Sequence, residues 1–181
     1  MKRPYEQIIE SVCNQSSRKG IKPRLIVLHS TESSDLAGLT DIRGVINWFD
    51  NPQAQASAHV VIDKDGHSGQ AVRDDAKAWH CMNFNSVSLG IEQIGRAAFG
   101  YAKWVTRRKQ RRKVAQYIAY WSKKYGIPIQ RGKVSGGQVV KAGVVTHRQL
   151  KAAGGGHHDP GAYPFALTLR LARRLKNVET L

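Results

Sequence analysis

Arg24-Leu25-Ile26-Val27-Leu28-His29 is a short apolar run that follows Pro23 and ends in a histidine. A run of this length, rich in aliphatic residues and without helical periodicity, is typical of a strand that is buried on both faces. The polar sequence Ser30-Thr31-Glu32-Ser33-Ser34 comes next and indicates that the strand ends near His29. We therefore predict a buried strand with an imidazole at its C-terminal end.

Predicted helices and strands alternate along the rest of the chain. Further strands are expected at 58–63, 68–73, 87–94 and 144–147, and the turn Asp65-Gly66 joins the first two in a hairpin. Helices are expected at 4–19, 40–49, 106–125 and 165–176. This order predicts a single α/β domain over 1–181, with a core from about 23 to 176 and a central mixed sheet flanked by helices.

The chain is strongly basic, with 29 lysines and arginines, 13 acidic residues and a formal net charge of +16. The charge is uneven, because no acidic residue lies between Glu92 and Asp159. A basic face of this extent favours polyanionic partners, such as nucleic acid, a cell wall that carries teichoic acid, or anionic lipid. The predicted helix from Arg107 to Lys124 carries much of this charge and is the expected contact.

Membrane spans, secretion signals and disulfides are not expected. No apolar stretch is long enough to cross a bilayer, and polar and acidic residues follow Met1 where a signal peptide would have its apolar core. The two cysteines, Cys13 and Cys81, are too few for a disulfide framework, so both are predicted to be free thiols.

The segment Gly154-Gly155-Gly156-His157-His158-Asp159-Pro160-Gly161 places two imidazoles and a carboxylate in a stretch that can be neither helix nor strand. His29 and His147 each end a predicted strand, and strands deliver such groups to one shared edge of a sheet. Nitrogen and oxygen ligands suit zinc, which in a catalytic site takes three protein ligands and keeps one position open. We therefore predict a zinc site at the C-terminal edge of the strands, with His29, His147 and Asp159 as ligands.

Six short motifs follow one another between about 23 and 165. They are His29-Ser30-Thr31, Ser57-Ala58-His59-Val60-Val61-Ile62-Asp63-Lys64-Asp65-Gly66, Trp79-His80, Ser88-Leu89-Gly90-Ile91-Glu92, Thr146-His147-Arg148 and Asp159-Pro160-Gly161. Together and in this order they resemble the zinc-dependent N-acetylmuramoyl-L-alanine amidases of the amidase_2 family, which includes phage endolysins and peptidoglycan recognition proteins. The resemblance implies hydrolysis of the amide between N-acetylmuramic acid and the L-alanine of the stem peptide in bacterial peptidoglycan. It also implies zinc on the three ligands named above.

The resemblance implies roles for two residues around the zinc. Glu92 stands where the family has a catalytic glutamate, and it is the only acidic residue between Asp75 and Asp159. His157 stands two residues before Asp159, in the place of a lysine that stabilises the tetrahedral intermediate in bacterial relatives. An imidazole can donate a hydrogen bond to an oxyanion, so His157 is expected to take over this role.

His158 competes with His157, because the segment between His147 and Asp159 is slightly longer than the family leads us to expect. Either His157 or His158 therefore remains an alternative to Asp159 as the third zinc ligand. His158 is also the alternative oxyanion donor.

Substrate contacts are expected from Trp79, His80 and Asn85. Trp79 offers a ring that can stack on a sugar, and the amide of Asn85 can bond the peptide. His80 follows Trp79 as it does in the family, where this position lines the cleft. Contact with the muropeptide and packing within the protein both remain open for His80.

The favoured interpretation is a phage or prophage endolysin that acts as a monomer and has no separate wall-binding domain. It would be made without a signal peptide and stay in the host cytoplasm until its release to the periplasm or cell wall. Its basic helix would adhere to the wall or the outer membrane. One alternative is a peptidoglycan-binding protein without catalysis, against which the full set of expected ligands argues. A nucleic-acid-binding protein is less favoured, because the basic run has few aromatic residues between its charges.

Overall fold

A six-stranded mixed sheet forms the centre of the structure, a computed structural model that describes residues 4, 7–8, 13–33 and 38–178, with the backbone alone at 7, 8, 39 and 40. The strands are β1 (Gln7–Ile8), β2 (Gln15–Ser17), β3 (Leu25–Ser30), β4 (Val60–Ile62), β5 (Ser68–Gln70), β6 (Ala76–Ala78), β7 (Ser88–Gln93), β8 (Lys133–Ser135), β9 (Gln138–Lys141) and β10 (Gly143–Thr146). The central sheet has the order β1-β5-β4-β7-β3-β10, while β2 pairs with β6 and β8 with β9 in two separate ribbons.

The strand β3 lies between β7 and β10 and runs parallel to both, so the C-terminal ends of these three strands meet at one edge. The register pairs His29 on β3 with Glu92 on β7, and Thr146 on β10 with Leu28. Strand β4 continues the parallel arrangement beside β7, and β5 returns antiparallel to β4 as the predicted hairpin. The predicted mixed sheet and its five predicted strands are confirmed, with small shifts at their ends.

Helices cover both faces of this sheet. They are α1 (Leu39–Phe49), α2 (Tyr101–Thr106), α3 (Arg108–Tyr125) and α4 (Phe165–Val178), with short 3-10 helices at Pro52–Ala54, Met82–Val87 and His147–Gly154. The helices α3 and α4 pack on one face over Ile26 and Leu28, whereas α1 packs through Ile42 and Ile46 on Val61 at the other. The predicted α/β domain with flanking helices is thereby confirmed. None of the helices in the described ranges is long and apolar enough to cross a membrane.

The pleat of β3 turns the side chain of His29 away from the main core. Ile26 and Leu28 belong to the core under α3 and α4, whereas Leu25 and Val27 belong to a separate apolar cluster. Because side chains alternate between the two faces of a strand, His29 shares the face of Leu25 and Val27. The site therefore lies on the face opposite α3 and α4.

The predicted helix over 4–19 is wrong where the structure describes it. Gln7–Ile8 pairs in parallel with β5, and Gln15–Ser17 pairs antiparallel with β6. Backbone pairing with distant strands outweighs the helical spacing of the apolar residues, because strand formation depends on tertiary context. Residues 5, 6 and 9–12, which fell in the same predicted helix, lie outside the described residues.

The basic helix predicted from Arg107 to Lys124 corresponds to α3, but the cations at its two ends are engaged within the protein. Arg107 lies at the junction between α2 and α3 and is buried, because its guanidinium donates to the carbonyl oxygen of Ile94 at 2.8 Å. Lys124 forms an ion pair of 2.7 Å with Asp74. The exposed basic surface therefore begins after Arg107, and Lys124 is already paired within the protein.

Candidate active site

Three neighbouring strands carry the functional groups to one edge of the sheet. His29 is the last residue but one of β3, Glu92 holds the matching position on β7, and His147 follows β10 directly. On β7, Leu89 and Ile91 pack into the core under α3 and α4, so Glu92 shares the opposite face with His29. The shared pleat of two parallel strands thus brings an imidazole and a carboxylate together.

The structure brings together His29, His147 and Asp159, the three residues predicted as zinc ligands. All three are buried, and one ligand atom from each lies within 4.8 Å of the others. Nδ1 of His29 is 3.0 Å from Nδ1 of His147. Oδ1 of Asp159 is 3.0 Å from Nδ1 of His147, and Oδ2 is 3.3 Å from Nδ1 of His29. Two strands and the Gly-rich loop therefore contribute to one compact set of donors.

Hydrogen bonds on the far side of each imidazole indicate which nitrogen carries a lone pair. Nε2 of His147 lies 2.7 Å from the carbonyl oxygen of Gly154, which only accepts, so Nε2 carries the proton and Nδ1 the lone pair. Nε2 of His29 lies 3.0 Å from Nδ1 of His80, and when it donates there, Nδ1 of His29 also presents a lone pair. Two nitrogen lone pairs and a carboxylate then face one another. This arrangement is repulsive without a cation and fits zinc.

The charge states of these groups also suit metal binding. Burial lowers the pKa of His29 to about 4, so its imidazole is neutral at neutral pH. Burial alone would raise the pKa of Asp159, but the imidazoles of His147 and His29 beside it outweigh this and hold the pKa below its ordinary value. Neutral imidazole and ionised carboxylate are the forms in which these side chains bind a metal ion.

Glu92 lies beside the three donors without joining them. Its Oε1 is 4.0 Å from Nδ1 of His29, and its Oε2 is buried without a hydrogen-bond partner in the described part of the chain. Burial, followed by the negative charges of Asp159 and Glu32, raises the pKa of Glu92 well above its ordinary value. A buried carboxylate oxygen without a partner costs free energy, and with a raised pKa in a cleft it is a candidate proton acceptor.

The two histidines of the Gly-rich loop, His157 and His158, lie outside this set of donors. The ring of His157 stacks on that of His147, with centroids 4.4 Å apart and an interplanar angle of 17°. His157 is exposed and lines the cleft. His158 is exposed as well, but it is not among the described residues that line the cleft. The structure thus places His157, of the two, where it can meet a substrate.

An open cleft of about 640 Å³ lies over these groups. Trp79 and Asn85, two of the predicted substrate contacts, form part of its wall. The indole N–H of Trp79 donates to the hydroxyl oxygen of Ser16 at 3.0 Å. The side-chain oxygen of Asn85 accepts the backbone N–H groups of His80 and Cys81, at 2.9 Å and 2.7 Å. Both side chains are therefore held by the protein and border the cleft in fixed positions.

His80, for which contact with the muropeptide and packing within the protein were both expected, lies against His29. Its Nδ1 is 3.0 Å from Nε2 of His29, and its Nε2 is 3.1 Å from the hydroxyl oxygen of Ser88. The ring also borders the cleft. Both nitrogens are nevertheless engaged within the protein, one of them with a predicted zinc ligand.

Two apolar side chains at the cleft were not predicted from the sequence. Trp48 on α1 is 56% exposed, Met82 is 66% exposed, and both line the cleft. Large apolar side chains that stay exposed beside a cleft are candidates for ligand contact. A signal existed for Trp48, because it falls beside, and not on, the apolar face that Ile42, Ile46 and Phe49 form on α1.

Sequence comparison matches most of this chain to one protein family. The family model described as N-acetylmuramoyl-L-alanine amidase, Amidase_2, matches residues 19–162. The N-acetylmuramoyl-L-alanine amidase A of Achromobacter lyticus is 45% identical over 74 residues, which cover 40% of this chain and 38% of that protein. The match thus spans well under half the length of this curated relative.

Solved structures share the fold. The hydrolase AmiA of Staphylococcus aureus, solved in complex with its ligand, is similar with a TM-score of 0.72 and 20% identity, covering 99% of this chain and 87% of that chain. The Ph2119 endolysin from Thermus scotoductus MAT2119 bacteriophage Ph2119 gives a TM-score of 0.63 and 18% identity, over 91% of this chain and 98% of that chain. At these identities the similarity establishes a common fold.

Proposed function

The chain belongs to the amidase_2 family of N-acetylmuramoyl-L-alanine amidases, and from this premise we propose that it hydrolyses the amide bond between N-acetylmuramic acid and L-alanine in bacterial peptidoglycan. One observation carries the proposal: three groups that could hold a metal ion converge at an open cleft, beside a buried carboxylate oxygen that has no hydrogen-bond partner among the described residues. An amide is a poor electrophile with a poor leaving group, so its hydrolysis needs such a combination of groups.

His29, His147 and Asp159 would hold a zinc ion through the three donor atoms that lie within 4.8 Å of one another. When bound, zinc supplies Lewis acidity, which lowers the pKa of water toward neutrality and polarises the substrate carbonyl. The protein's part is to keep both imidazoles neutral, with their Nδ1 lone pairs directed to the same point. The backbone carbonyl of Gly154 does this for His147 by accepting from Nε2.

Glu92 would move the proton in this reaction. Water adds to the carbonyl carbon, the C–N bond breaks, and the proton lost by the water passes through Glu92 to the leaving nitrogen of L-alanine. Oε2 has no hydrogen-bond partner among the residues that the structure describes, which supports this role because the oxygen is available for water and substrate. The raised pKa of Glu92 also supports it, because a general base works best with a pKa near the operating pH.

His157 would donate a hydrogen bond to the oxyanion that develops on the carbonyl oxygen. Its exposed ring stacks on His147 and borders the cleft, close to the predicted zinc ligands. A donor in this place stabilises the charge that appears only in the transition state. His158 remains the alternative donor.

The cleft would receive the glycan and the stem peptide. Trp79 presents an aromatic surface for a sugar ring, while Asn85 and His80 border the same cleft. The two exposed apolar side chains found there, Trp48 and Met82, extend this surface. Apolar and aromatic lining with a few fixed polar groups is typical of sites that orient a ligand.

The exposed basic residues of α3 would hold the protein on an anionic wall or outer membrane. Arg108, Lys109, Arg112 and Lys123 are exposed on this helix. Exposed cations raise association rates and residence on polyanions. The described part of the chain offers a matched control, because Arg108 and Arg112 on α3 and Arg170 and Arg174 on α4 are two exposed pairs with the same spacing.

This adhesion is tested by comparing a double Arg108→Gln, Arg112→Gln variant with a double Arg170→Gln, Arg174→Gln variant, since both remove two charges. The α3 variant should digest insoluble wall material more slowly, while it hydrolyses a soluble muropeptide at the unchanged rate. Equal behaviour of the two variants on walls would show that net charge, and not the α3 surface, determines adhesion.

We also propose that the protein acts as an endolysin of a phage or prophage, made in the host cytoplasm and active at the cell wall. The similarity of its fold to that of a bacteriophage endolysin supports this role. The strongly basic composition supports it as well, because the bacterial envelope is rich in anionic polymers.

The decisive experiment is digestion of defined peptidoglycan, followed by mass spectrometry of the new termini. The proposal expects free L-alanine amino termini, loss of their release with a zinc chelator, and recovery when zinc is restored. Sedimentation with peptidoglycan without any new termini would identify a binding protein instead. Cleavage at another bond would refute the proposed substrate bond.

A further inference from the structure

A row of hydrogen bonds runs from the predicted zinc ligand His29 into the protein. Nε2 of His29 is 3.0 Å from Nδ1 of His80, and Nε2 of His80 is 3.1 Å from the hydroxyl oxygen of Ser88. That hydroxyl lies 2.7 Å from the carbonyl oxygen of Phe84. The two imidazoles, the hydroxyl and the carbonyl are therefore connected one after another behind the site.

The last member of this row determines the direction of every bond in it. The carbonyl of Phe84 only accepts, so the hydroxyl of Ser88 donates to it and its oxygen accepts from Nε2 of His80. Nδ1 of His80 then carries a lone pair and accepts from Nε2 of His29. Nδ1 of His29 is left with its lone pair on the side of the predicted zinc. The thiol of Cys81, 3.2 Å from the hydroxyl of Ser88, does not change this order, because sulfur is the weaker acceptor.

We propose that His80 is a positioning residue, which fixes the tautomer and the ring orientation of His29 so that Nδ1 is always ready to bind the metal. Ser88 anchors His80 in turn. The inference rests on the proposed zinc site and extends it beyond the three ligands. It also explains a difference between the two imidazole ligands. Nε2 of His147 is fixed directly by the carbonyl oxygen of Gly154, whereas in the described part of the chain the partner of Nε2 of His29 is the ring of His80.

The surroundings of His80 are shaped to hold its ring in this place. His80 is 9% exposed, and its backbone N–H is held by the side-chain oxygen of Asn85 at 2.9 Å. A Cβ atom at Gly90 would lie 2.8 Å from Nδ1 of His80, which is closer than real contacts allow. The glycine of the motif Ser88-Leu89-Gly90-Ile91-Glu92 therefore leaves room for the imidazole on the surface of β7. Ser88 and Gly90 lie on the same face of β7 as Glu92. This one strand therefore provides the hydroxyl that holds His80, the space for its ring and the proposed catalytic carboxylate.

The experiment compares zinc affinity among purified variants, by competition with a chromophoric chelator. His80→Ala removes the acceptor for Nε2 of His29, so the dissociation constant for zinc should rise about 10- to 100-fold, the range found when groups behind a metal ligand are removed. His80→Asn should recover most of this loss, because its Oδ1 takes the position of Nδ1 and accepts the same hydrogen bond. Ser88→Ala should give a smaller rise than His80→Ala. His67→Ala, which removes a half-exposed histidine of the β4–β5 hairpin, should leave the affinity unchanged.

Circular dichroism and urea unfolding in chelator separate these effects from loss of folding. Two results would overturn the positioning role: unchanged affinity in His80→Ala, or an equal loss in His80→Ala and His80→Asn with native unfolding curves. If His80→Ala does not fold, the zinc affinities of His80→Asn and Ser88→Ala are compared with that of the unchanged protein. Equal affinities for all three would reject the positioning role. Absence of zinc binding by the unchanged protein would instead reject the proposed zinc site itself.

Discussion

The histidines of this chain differ sharply between the sheet edge and the Gly-rich loop. His29, His59, His80 and His147 are buried and lie near one another beneath the cleft, whereas His157 and His158 are exposed. Burial lowers the pKa of His29 to about 4 and that of His59 to about 3, so these rings offer lone pairs. An exposed ring keeps access to water and can serve as a donor. Burial thus separates the imidazoles proposed to bind the metal from the imidazole proposed as a hydrogen-bond donor.

The largest effect is expected from removing a buried histidine at the sheet edge, because this removes a proposed metal ligand. His147→Ala should lower the rate of amide hydrolysis by about 10³-fold or more, since the Lewis acidity of zinc contributes several kcal/mol to the transition state. Bound zinc, measured by atomic absorption after dialysis, should fall with it. His67→Ala is the control for loss of a histidine. Full activity of His147→Ala would contradict the metal assignment.

The next largest effect is expected from Glu92→Gln, which distinguishes the proposed catalytic carboxylate from the proposed ligands beside it. The amide keeps the size of the side chain but cannot accept the proton, so turnover should fall about 10²- to 10⁴-fold, the range of general base catalysis. Zinc content should stay the same, because Glu92 lies beside the donor set and not in it. A variant that loses zinc would show that Glu92 is a ligand.

The proposed role of the exposed histidines in the Gly-rich loop is tested with His157→Ala. Loss of an oxyanion donor lowers kcat by about 10²-fold or more, with little change in KM, because the bond forms only in the transition state. His157→Lys should recover much of the rate, since lysine also donates. The variant should keep its zinc, in contrast to His147→Ala. A larger loss in His158→Ala than in His157→Ala would assign the donor role to His158.

The two regions also differ in how far their sequences predict them. Along β3 and β7 the short apolar runs predicted the strands and placed His29 and Glu92 near their C-terminal ends, and the register then set their distance. In the loop, Gly155, Gly156 and Gly161 all have positive φ, so the sequence leaves open which neighbouring side chain turns inward. Pattern reasoning predicts side-chain direction in a strand, but only the folded chain determines it in such a loop.

Long-range contacts account for the other failures of prediction. The bond between His29 and His80 joins residues 51 positions apart, and neither ring has a local pattern that signals it. The same holds for the first strands, where Gln7–Ile8 pairs with β5 and Gln15–Ser17 with β6 in place of the predicted helix. Arg107 is buried although it lies in a basic run, because the carbonyl of Ile94 accepts from it. In each case a partner distant in sequence outweighs the local preference.

The smallest effect concerns His59, a buried imidazole outside the donor set, and tests whether burial keeps such rings neutral. Burial, and after it the charge of Arg18, lowers its pKa from 6.5 to about 3. The unfolded chain therefore takes up a proton below pH 6.5, while the folded protein does so only near pH 3, so acid favours unfolding within this window. The free energy of unfolding should fall by up to about 1.4 kcal/mol per pH unit from this group.

His59→Gln should remove this contribution and give a shallower slope in urea unfolding between pH 7 and pH 4, measured in chelator. His158→Gln, which alters an exposed ring, should leave the slope unchanged. The slope, and not the absolute stability, is the quantity to compare, because His59→Gln also disturbs the contacts of Nε2 with Arg18 and of Nδ1 with the backbone of Gly90. Identical slopes in both variants would mean that His59 takes up its proton over the same pH range in the folded protein as in the unfolded chain. This would contradict the expectation that burial keeps its imidazole neutral.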